Sequence, residues 1–414
     1  MSTSRYTTFD HYAMPIGADG TPYEYLEALR LEVEQTGQRI GWSEAHGGFW
    51  VVAGYEEDRE IMMNSVDFSN EGCLFPRYGT GDAKIMLAEH DDPEHKKYRK
   101  LVQGPFSAAK VGEFEPALRA SAVDLIERFI DDGEVDIIKG LGEDIPARLT
   151  AILLGLPPED GDLYRHWTHA MAFLSVTDPE AAAPIVAEAY AYFEEMLAHR
   201  WDHLGDDILS LVMQCQIDGE RLTDLEIKEF WIALLIGGIH NTARLLGTAI
   251  WRLAWDVELR RRLVSRPELI EPAVHEIIRY YTPGLVGRDV VNETTVAGVT
   301  MKPGQHLILA HSLANRDSRV FADPDTFIIE RENASKHLGL GRGIHRCLGA
   351  HVVTLEIRIV LEELLRRVPD FELASGKPPL WDQGQVAGMG YVPIVFPKGG
   401  GYWPRGEQPE LAVA

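Results

Sequence analysis

One cysteine stands in a setting that could hold an iron atom. Cys347 ends a glycine-rich stretch, His337 to Gly349, and a helical pattern runs from Leu348 to Arg367. A thiolate at the start of a helix gains from the helix dipole and from unpaired backbone N–H groups, so the position predicts a lowered thiol pKa. Glycines such as Gly341 and Gly349 let the backbone approach a large flat group without Cβ clashes. A lone thiolate facing such a group is what a haem iron with an axial sulfur ligand requires.

The alternative for an isolated cysteine is a small buried hydrophobic residue. The glycines and arginines around Cys347 favour the metal ligand instead. Two haem carboxylates buried beside an apolar ring would also need cations, and the fork of arginine suits them best. Each candidate taken singly is equally a surface charge or a core histidine, but as a set they favour an anion-binding role. The candidates are His95, Arg99, Arg288 and His345.

The longest predicted helix carries a polar cluster halfway along. Thr223-Asp224-Leu225-Glu226 matches a capping box, and periodic apolar positions continue to about Trp255. A helix of about 30 residues spans about 45 Å, enough to cross the molecule. Apolar residues on nearly every face predict that it is buried, although polar side chains interrupt it at Gly237 to Thr242.

Helical patterns dominate the chain, with a small β region. Short strands are predicted at Phe49 to Ala53 and between Gly287 and Leu309, and the alternation over Val386 to Pro397 predicts a hairpin. The fold class is therefore mainly α, with α+β character. Because no linker or internal repeat divides the sequence, we expect one domain over residues 1–414, β-rich mainly at 20–70, 287–335 and 380–400 and helical mainly at 90–281 and 348–368. Further helices are predicted at Tyr23 to Gln35, Phe114 to Phe129, Ala181 to Ala198 and Pro267 to Tyr280.

Composition excludes some classes of partner. Hydrophobic residues make up 45% of the chain and charged residues 25%, as in ordinary soluble proteins. The formal net charge of −24 argues against nucleic-acid binding. Cys73, Cys215 and Cys347 are too far apart for a disulfide framework or a metal knuckle, which predicts a reducing compartment. We find no signal peptide in Met1 to Gly20 and no apolar run long enough to span a bilayer, so we expect a cytoplasmic monomer without a membrane anchor.

Four separated elements together resemble the cytochrome P450 superfamily. The Cys347 loop matches the family's haem-binding pattern, except that Leu340 stands where Phe is usual. Glu276 and Arg279 form the family's Glu-x-x-Arg pair, and Arg331 resembles the third member of its buried network. A Glu-x-x-Arg pair alone does not indicate the family, because it is also an ordinary ion pair between residues three apart on a helix. The order and spacing of all four elements carry the resemblance.

The remaining two elements concern the haem carboxylates. Asp92 to Arg99 resembles the family's helix whose histidine and arginine hold the propionates, and Arg288 and His345 fall where further propionate partners sit. The resemblance implies the P450 fold and haem b with Cys347 as thiolate ligand. It also implies a monooxygenase that uses dioxygen and two electrons.

Within the superfamily, several stretches resemble the bacterial P450s that hydroxylate cineole. This likeness implies 1,8-cineole, or a close bicyclic monoterpenoid ether, hydroxylated at an unactivated C–H. It also implies an FMN flavodoxin-type electron donor rather than only a [2Fe-2S] ferredoxin-type one. The stretches are Phe75 to Tyr78, Ile145 to Thr150, Leu154 to Asp160, Gly237 to Arg244 and Gly384 to Met389.

The oxygen-activation site departs from the family pattern. His240, Asn241 and Thr242 are the candidates, where most members have an acid followed by Thr. Asn241 matches the cineole-hydroxylating relatives, in which the amide is held to bind substrate. A histidine with a pKa near 6.5 could relay protons at position 240; the alternative is that it faces solvent or a neighbouring helix while water carries them.

This departure keeps two rival functions open: a peroxide-driven haem-thiolate oxygenase, and a non-catalytic haem-binding sensor. By the family layout, the pocket walls would come from Tyr78, Ile236, Asn241, Leu285, Val286 and Met389, each also a plausible packing residue. Cations near Cys347 could steer an acidic electron donor, or could simply form a solvated helix face. They are Lys96, Lys97, Arg99, Lys100, Arg342 and Arg346.

Overall fold

Helices make up most of the computed structural model, which describes residues 4–76, 84–217 and 219–402. The helices are α1 (Tyr23–Thr36), α2 (Tyr55–Met63), α3 (Glu94–Val102), α4 (Ala108–Gly112), α5 (Glu115–Phe129), α6 (Asp144–Leu154), α7 (Gly161–His169), α8 (Ser175–Thr177), α9 (Pro179–Arg200), α10 (Ile208–Gln214), α11 (Asp224–Trp255), α12 (Val257–Ser265), α13 (Ile270–Tyr281), α14 (His311–Ala314) and α15 (Ala350–Arg367). No helix in the described ranges is long and apolar enough to cross a membrane.

The long central helix α11 forms as predicted. Thr223 caps it: its hydroxyl accepts from the Glu226 backbone N–H at 3.2 Å, while the Thr223 N–H donates to the Glu226 carboxylate at 2.7 Å. This capping box satisfies backbone donors that the first turn leaves unpaired. The 32 residues of α11 run through the largest hydrophobic core, where Ile239, Leu246 and Ile250 are fully buried.

The strands of the described residues form one five-stranded sheet, one three-stranded sheet and three two-stranded sheets. The largest sheet has the order β1-β2-β10-β7-β3, in which β10 runs parallel to β2 and antiparallel to β7. The strands are β1 (Ile40–Ser43), β2 (Phe49–Val52), β3 (Phe68–Ser69), β4 (Glu134–Asp136), β5 (Gln216–Ile217), β6 (Glu220–Arg221), β7 (Val286–Val290), β8 (Thr294–Val296), β9 (Val299–Met301), β10 (His306–Leu309), β11 (Glu372–Leu373), β12 (Leu380–Asp382), β13 (Gly388–Tyr391) and β14 (Pro393–Val395).

The predicted hairpin over Val386 to Pro397 is wrong. Strand β13 pairs with β12, whereas β14 pairs with β11 and β4. Only Val392 separates β13 from β14, and a hairpin needs at least two loop residues. The Val392 N–H instead donates to the Asp136 carboxylate at 3.1 Å, so the chain passes from one sheet into another.

Other sequence expectations hold with shifted limits. The helix predicted from Pro267 begins at Ile270, because Pro267–Leu269 forms a 3₁₀ turn. The range 20–70, expected to be β-rich, also holds α1 and α2, and the part from 310 to 335 contains α14 and turns. The single-domain organisation stays a prediction.

Candidate active site

The loop before α15 holds Cys347 in a defined turn. The Cys347 N–H donates to the carbonyl of Leu340 at 2.8 Å. Gly341 and Gly343 adopt φ values of +68° and +70°, a left-handed conformation that glycine tolerates without strain. At Gly343 a Cβ atom would also lie 2.9 Å from the Met62 carbonyl oxygen, because the end of α2 packs against the loop. The glycines therefore shape the loop and its packing.

Protein atoms surround the Cys347 thiol closely, although part of the residue is exposed. Its side chain is accessible to solvent, yet burial among protein atoms raises its pKa above the ordinary value. A hydrogen bond from the Gly349 backbone and the charges of Arg99 and Arg346 only partly oppose this effect. The predicted lowering of the thiol pKa is therefore wrong, because desolvation outweighs the helix terminus. A thiol in a concavity can be covered by a flat ring, and coordination to a metal would hold it as thiolate.

One buried arginine and two histidines lie beside this loop, and the Nδ1 of His95 lies 3.7 Å from Asp92 Oδ1. His95 of α3 is 2% exposed, and its ring centroid lies 4.2 Å from that of His345. Arg288 of β7 is 4% exposed; it donates to the Gly287 carbonyl at 2.6 Å and forms no ion pair among the described residues. Burial lowers the pKa of Arg288, and burial together with the charges of His95, Arg288 and Arg99 lowers the pKa of His345 to about 3. These groups disfavour one another's charge, so an anion between them would relieve the repulsion.

Arg99 makes a different contact. Its guanidinium donates to the Arg346 carbonyl at 2.8 Å and is half-buried. It thus supports the Cys347 loop directly. The same helix is tied to α11, since the Tyr98 hydroxyl donates to the Glu226 carboxylate at 2.9 Å.

The three residues of the predicted buried ion network come together. Glu276 and Arg279 are both fully buried, and the Arg279 Nε lies 2.7 Å from the Glu276 carboxylate. The Nε of Arg331 lies 3.2 Å from both carboxylate oxygens of Glu276. The Nη1 of Arg279 donates to the carbonyls of Asn315 and Pro324, each at 2.9 Å, and its Nη2 donates to Glu276 at 2.8 Å. One buried carboxylate thus pairs with two guanidinium groups, and backbone carbonyls accept from the donors that remain.

His240 packs against a neighbouring helix. It is 2% exposed, and its ring centroid lies 6.4 Å from that of His169 in α7. Burial, with the charges of Arg244 and His169, lowers its pKa to about 3, against a weaker opposing hydrogen bond to the Thr168 backbone. The pKa of His240 therefore lies well below the ordinary imidazole value near 6.5 that the relay hypothesis uses. The imidazole is neutral at physiological pH, which favours the neighbouring-helix alternative over the proton relay.

Asn241 lies on another side of α11. It is half-buried, and its amide oxygen lies 3.8 Å from the point where a Cβ on Gly284 would stand. Within the described ranges its amide forms no hydrogen bond. Val286 and Ile236 are also half-buried, whereas Thr242 is 4% exposed.

Two further residues stay predicted pocket residues, and both are buried. Met389 is fully buried, and its N–H donates to the Thr248 hydroxyl at 3.1 Å, nearly two turns beyond Asn241. Leu285 belongs to the core formed by the N-terminal segment. Both have a packing role in this structure. Tyr78 lies outside the described residues.

Sequence reasoning missed Arg244. This buried residue lies one turn after His240 and pairs with Glu143 at 3.3 Å and Asp382 at 2.8 Å. Its charge contributes to the low pKa of His240. An arginine four residues after a histidine on a predicted buried helix was the available signal, but its partners come from distant segments.

Comparisons with known proteins agree with the resemblance found in the sequence. The sequence pattern of the cytochrome P450 family matches residues 261–389. The chain is 30% identical to the mycinamicin IV hydroxylase/epoxidase of Micromonospora griseorubida, over 84% of this chain and 89% of that protein. It is 31% identical to cytochrome P450 107B1 of Saccharopolyspora erythraea, over 80% and 84% respectively. The solved structure of cytochrome P450 CREJ in complex with (4-ethylphenyl) dihydrogen phosphate has a TM-score of 0.84 at 27% identity, covering 94% of this chain and 100% of that one.

The chain belongs to the cytochrome P450 family. This confirms the predicted fold and the cofactor, haem b with a cysteine thiolate ligand. The protein is accordingly a haem-thiolate monooxygenase of bacterial type.

Proposed function

We propose that Cys347 is the axial ligand and that His95, Arg288 and His345 bind the haem carboxylates, with Arg99 bracing the loop and placing a further charge near them. The fit rests on the accessible thiol and on Arg288, which is buried and forms no ion pair among the described residues. Once bound, the haem and its thiolate supply the oxygen-activating chemistry. The protein residues then have the tasks of holding the substrate over the ring and excluding water.

The proposed substrate is 1,8-cineole or a closely similar bicyclic monoterpenoid ether, hydroxylated at an unactivated C–H. The half-buried Asn241, with its unbonded amide, carries this proposal. An ether oxygen can only accept a hydrogen bond, and the Asn241 NH₂ can donate one. Such a bond is worth about 1 kcal/mol net, which is enough to orient an otherwise apolar molecule. The half-buried Ile236 and Val286 would supply apolar contact, at about 25 cal/mol per Å².

The proposed electron donor is an acidic FMN flavodoxin-type or [2Fe-2S] ferredoxin-type protein. Lys96, Lys100 and Arg346 are exposed on α3 and on the Cys347 loop. The side chain of Met63, 61% exposed, ends near Gly343 of that loop and adds an apolar contact. Positive charge around this apolar contact would attract an acidic electron donor and raise the rate at which the two proteins associate.

The experiment is an optical titration of the ferric protein with 1,8-cineole, with camphor and limonene as comparisons. We expect a low-to-high-spin shift of the Soret band with 1,8-cineole, because the ligand would displace water from the iron. A shift with another terpene alone would keep the monooxygenase and reject cineole. No shift with any of them would reject the whole substrate class.

A peroxide-driven reaction is a second candidate, favoured by the neutral His240. A side chain that stays unprotonated at neutral pH would be a poor proton donor for a reaction driven by dioxygen, whereas peroxide brings its own protons. Turnover driven by hydrogen peroxide should be compared with donor-driven turnover on the same substrate. A peroxide rate equal to or above the donor rate would support this candidate, and a much lower rate would reject it.

A further inference from the structure

A second group of potential ligands lies in the N-terminal part of the molecule, among residues that the haem and substrate proposals do not use. Asp10, His11 and His46 each direct a ligand atom into one small space. A carboxylate oxygen and one nitrogen from each imidazole lie within 4.8 Å of one another. Two imidazoles and a carboxylate form a donor set that suits Zn²⁺.

The tautomer of His11 follows from its neighbour. Its Nε2 lies 2.7 Å from the Phe75 carbonyl oxygen, which can only accept, so Nε2 carries the proton. The lone pair therefore lies on Nδ1. His11 is fully buried, and Nδ1 has no hydrogen-bond partner among the described residues. A buried acceptor without a partner is uncommon, and metal-binding histidines characteristically donate their other N–H to a backbone carbonyl.

The other two residues are held in place. The Nε2 of His46 lies 2.9 Å from Asp10 Oδ1, which also accepts from the Tyr12 N–H at 2.9 Å. Burial raises the pKa of Asp10, but the hydrogen bonds from Tyr12 and His46 outweigh it, so the pKa is lowered and the carboxylate is ionised. Burial lowers the pKa of His11 to about 4, so its imidazole is neutral at physiological pH. The two contacts of Asp10 Oδ1 thus fix the carboxylate beside His46.

We propose that Asp10, His11 and His46 bind one divalent zinc ion. Tetrahedral zinc with bonds of about 2.0–2.1 Å places its ligand atoms about 3.3 Å apart, so Asp10 Oδ1 and His46 Nε2 would separate slightly from 2.9 Å to admit the ion. A neutral His46 would bind the ion through the lone pair of Nε2, with its single ring proton on Nδ1. The side chains of Asp10 and His46 are 27% and 20% exposed, which leaves room for water as fourth ligand.

A metal ion bound at this site would hold three separate segments of the chain together. The Gly384 N–H donates to the His11 carbonyl at 2.8 Å, and the Gln385 side chain donates to the Phe75 carbonyl at 2.9 Å. The Leu285 N–H in turn donates to the Gln385 carbonyl at 3.1 Å. A bound ion would therefore stabilise the N-terminal segment against the turn before β13 and the chain entering β7.

The test is a calorimetric titration of the haem-loaded, chelator-treated protein with Zn²⁺, with the Soret band recorded throughout. We expect one ion per chain and no change of the Soret band. In His11→Gln the glutamine amide can still donate to Phe75, but the ligand nitrogen is gone. In His46→Asn the residue keeps its φ of +52°, which asparagine tolerates well. Each variant should bind Zn²⁺ at least about tenfold more weakly.

The control removes a different pair of adjacent imidazoles, which lies outside the proposed zinc cluster. The rings of His199 and His203 stack with centroids 4.5 Å apart at the end of α9 and could bind zinc by themselves. His199→Asn should leave the titration unchanged. Absence of binding, equal binding in both cluster variants, or loss in His199→Asn alone would overturn the proposal. If His11→Gln does not fold, the test of the zinc site rests on His46→Asn. We expect that variant to fold, because His46 lies on a surface turn.

Discussion

The ring of His240 meets the ring of His169 edge to face, with the two centroids 6.4 Å apart. This contact joins the middle of the central helix α11 to α7. It places an imidazole where most P450 family members carry an acid, and it keeps that imidazole out of water. Burial of this imidazole, more than the contact with His169, lowers its pKa and makes stability depend on pH.

We expect His240 to make the protein less stable in acid. Its pKa in the folded protein, about 3, lies below the ordinary 6.5, so between these values the unfolded chain binds a proton that the folded one does not. Stability is therefore lost as pH falls through this range, by up to about 1.4 kcal/mol per pH unit. Urea unfolding of wild type and His240→Asn at pH 7 and pH 5 checks this. An unchanged pH dependence in the variant would contradict it.

Replacing Asn241 should weaken ligands that carry an ether oxygen. Asn241→Leu keeps the size of the side chain but removes the donor, which costs about 1 kcal/mol, or about fivefold in Kd. Limonene has no oxygen to accept the bond, so its affinity should not fall. Spectral titration of both ligands against both proteins measures the difference. Equal weakening of the two ligands would mean that Asn241 only shapes the pocket.

Removing Arg288 should lower the haem content of the purified protein. Arg288→Met keeps much of the side-chain volume but leaves a haem carboxylate without its cation, which buried charges tolerate poorly. The ratio of Soret to protein absorbance reports the occupancy. Arg119→Met, which breaks ion pairs with Glu115, Glu362 and Glu363 instead, is the matched control. Equal haem loss in the two variants would point to general destabilisation.

Glu276→Gln should be strongly destabilising. It leaves Arg279, which is fully buried, without its carboxylate, and breaking a buried pair in this way costs about 3–5 kcal/mol. Glu258→Gln breaks the exposed pair with Arg261 and should cost less than about 1 kcal/mol. Chemical denaturation of both variants compares them. The idea of a structural network fails if the two costs are similar.

Salt should slow electron transfer from an acidic donor. Raising ionic strength screens charges on exposed residues such as Lys96 and Lys100. The double variant Lys96→Gln with Lys100→Gln should be slower at low salt and less sensitive to added salt. Stopped-flow reduction of the haem measures both effects, with Lys302→Gln in the turn before β10 as control. A rate that does not depend on salt would rule out steering by this surface.

The features that the sequence predicted best are those whose causes are local. The cap at Thr223, the length of α11 and the turn before Cys347 depend on neighbouring residues, and all three are present. The pKa values of Cys347 and His240 could not be predicted, because they depend on how much protein surrounds each group. The partners of Arg244 come from segments more than 100 residues away in each direction.

The carboxylate of Glu226 closes the capping box of α11 and also accepts the hydroxyl of Tyr98 from α3. One side chain thus joins the start of α11 to α3, the helix that carries His95 and Arg99. Loss of the Glu226 carboxylate would therefore disturb α11 and α3 together, although Glu226 is not among the residues proposed to bind haem or substrate.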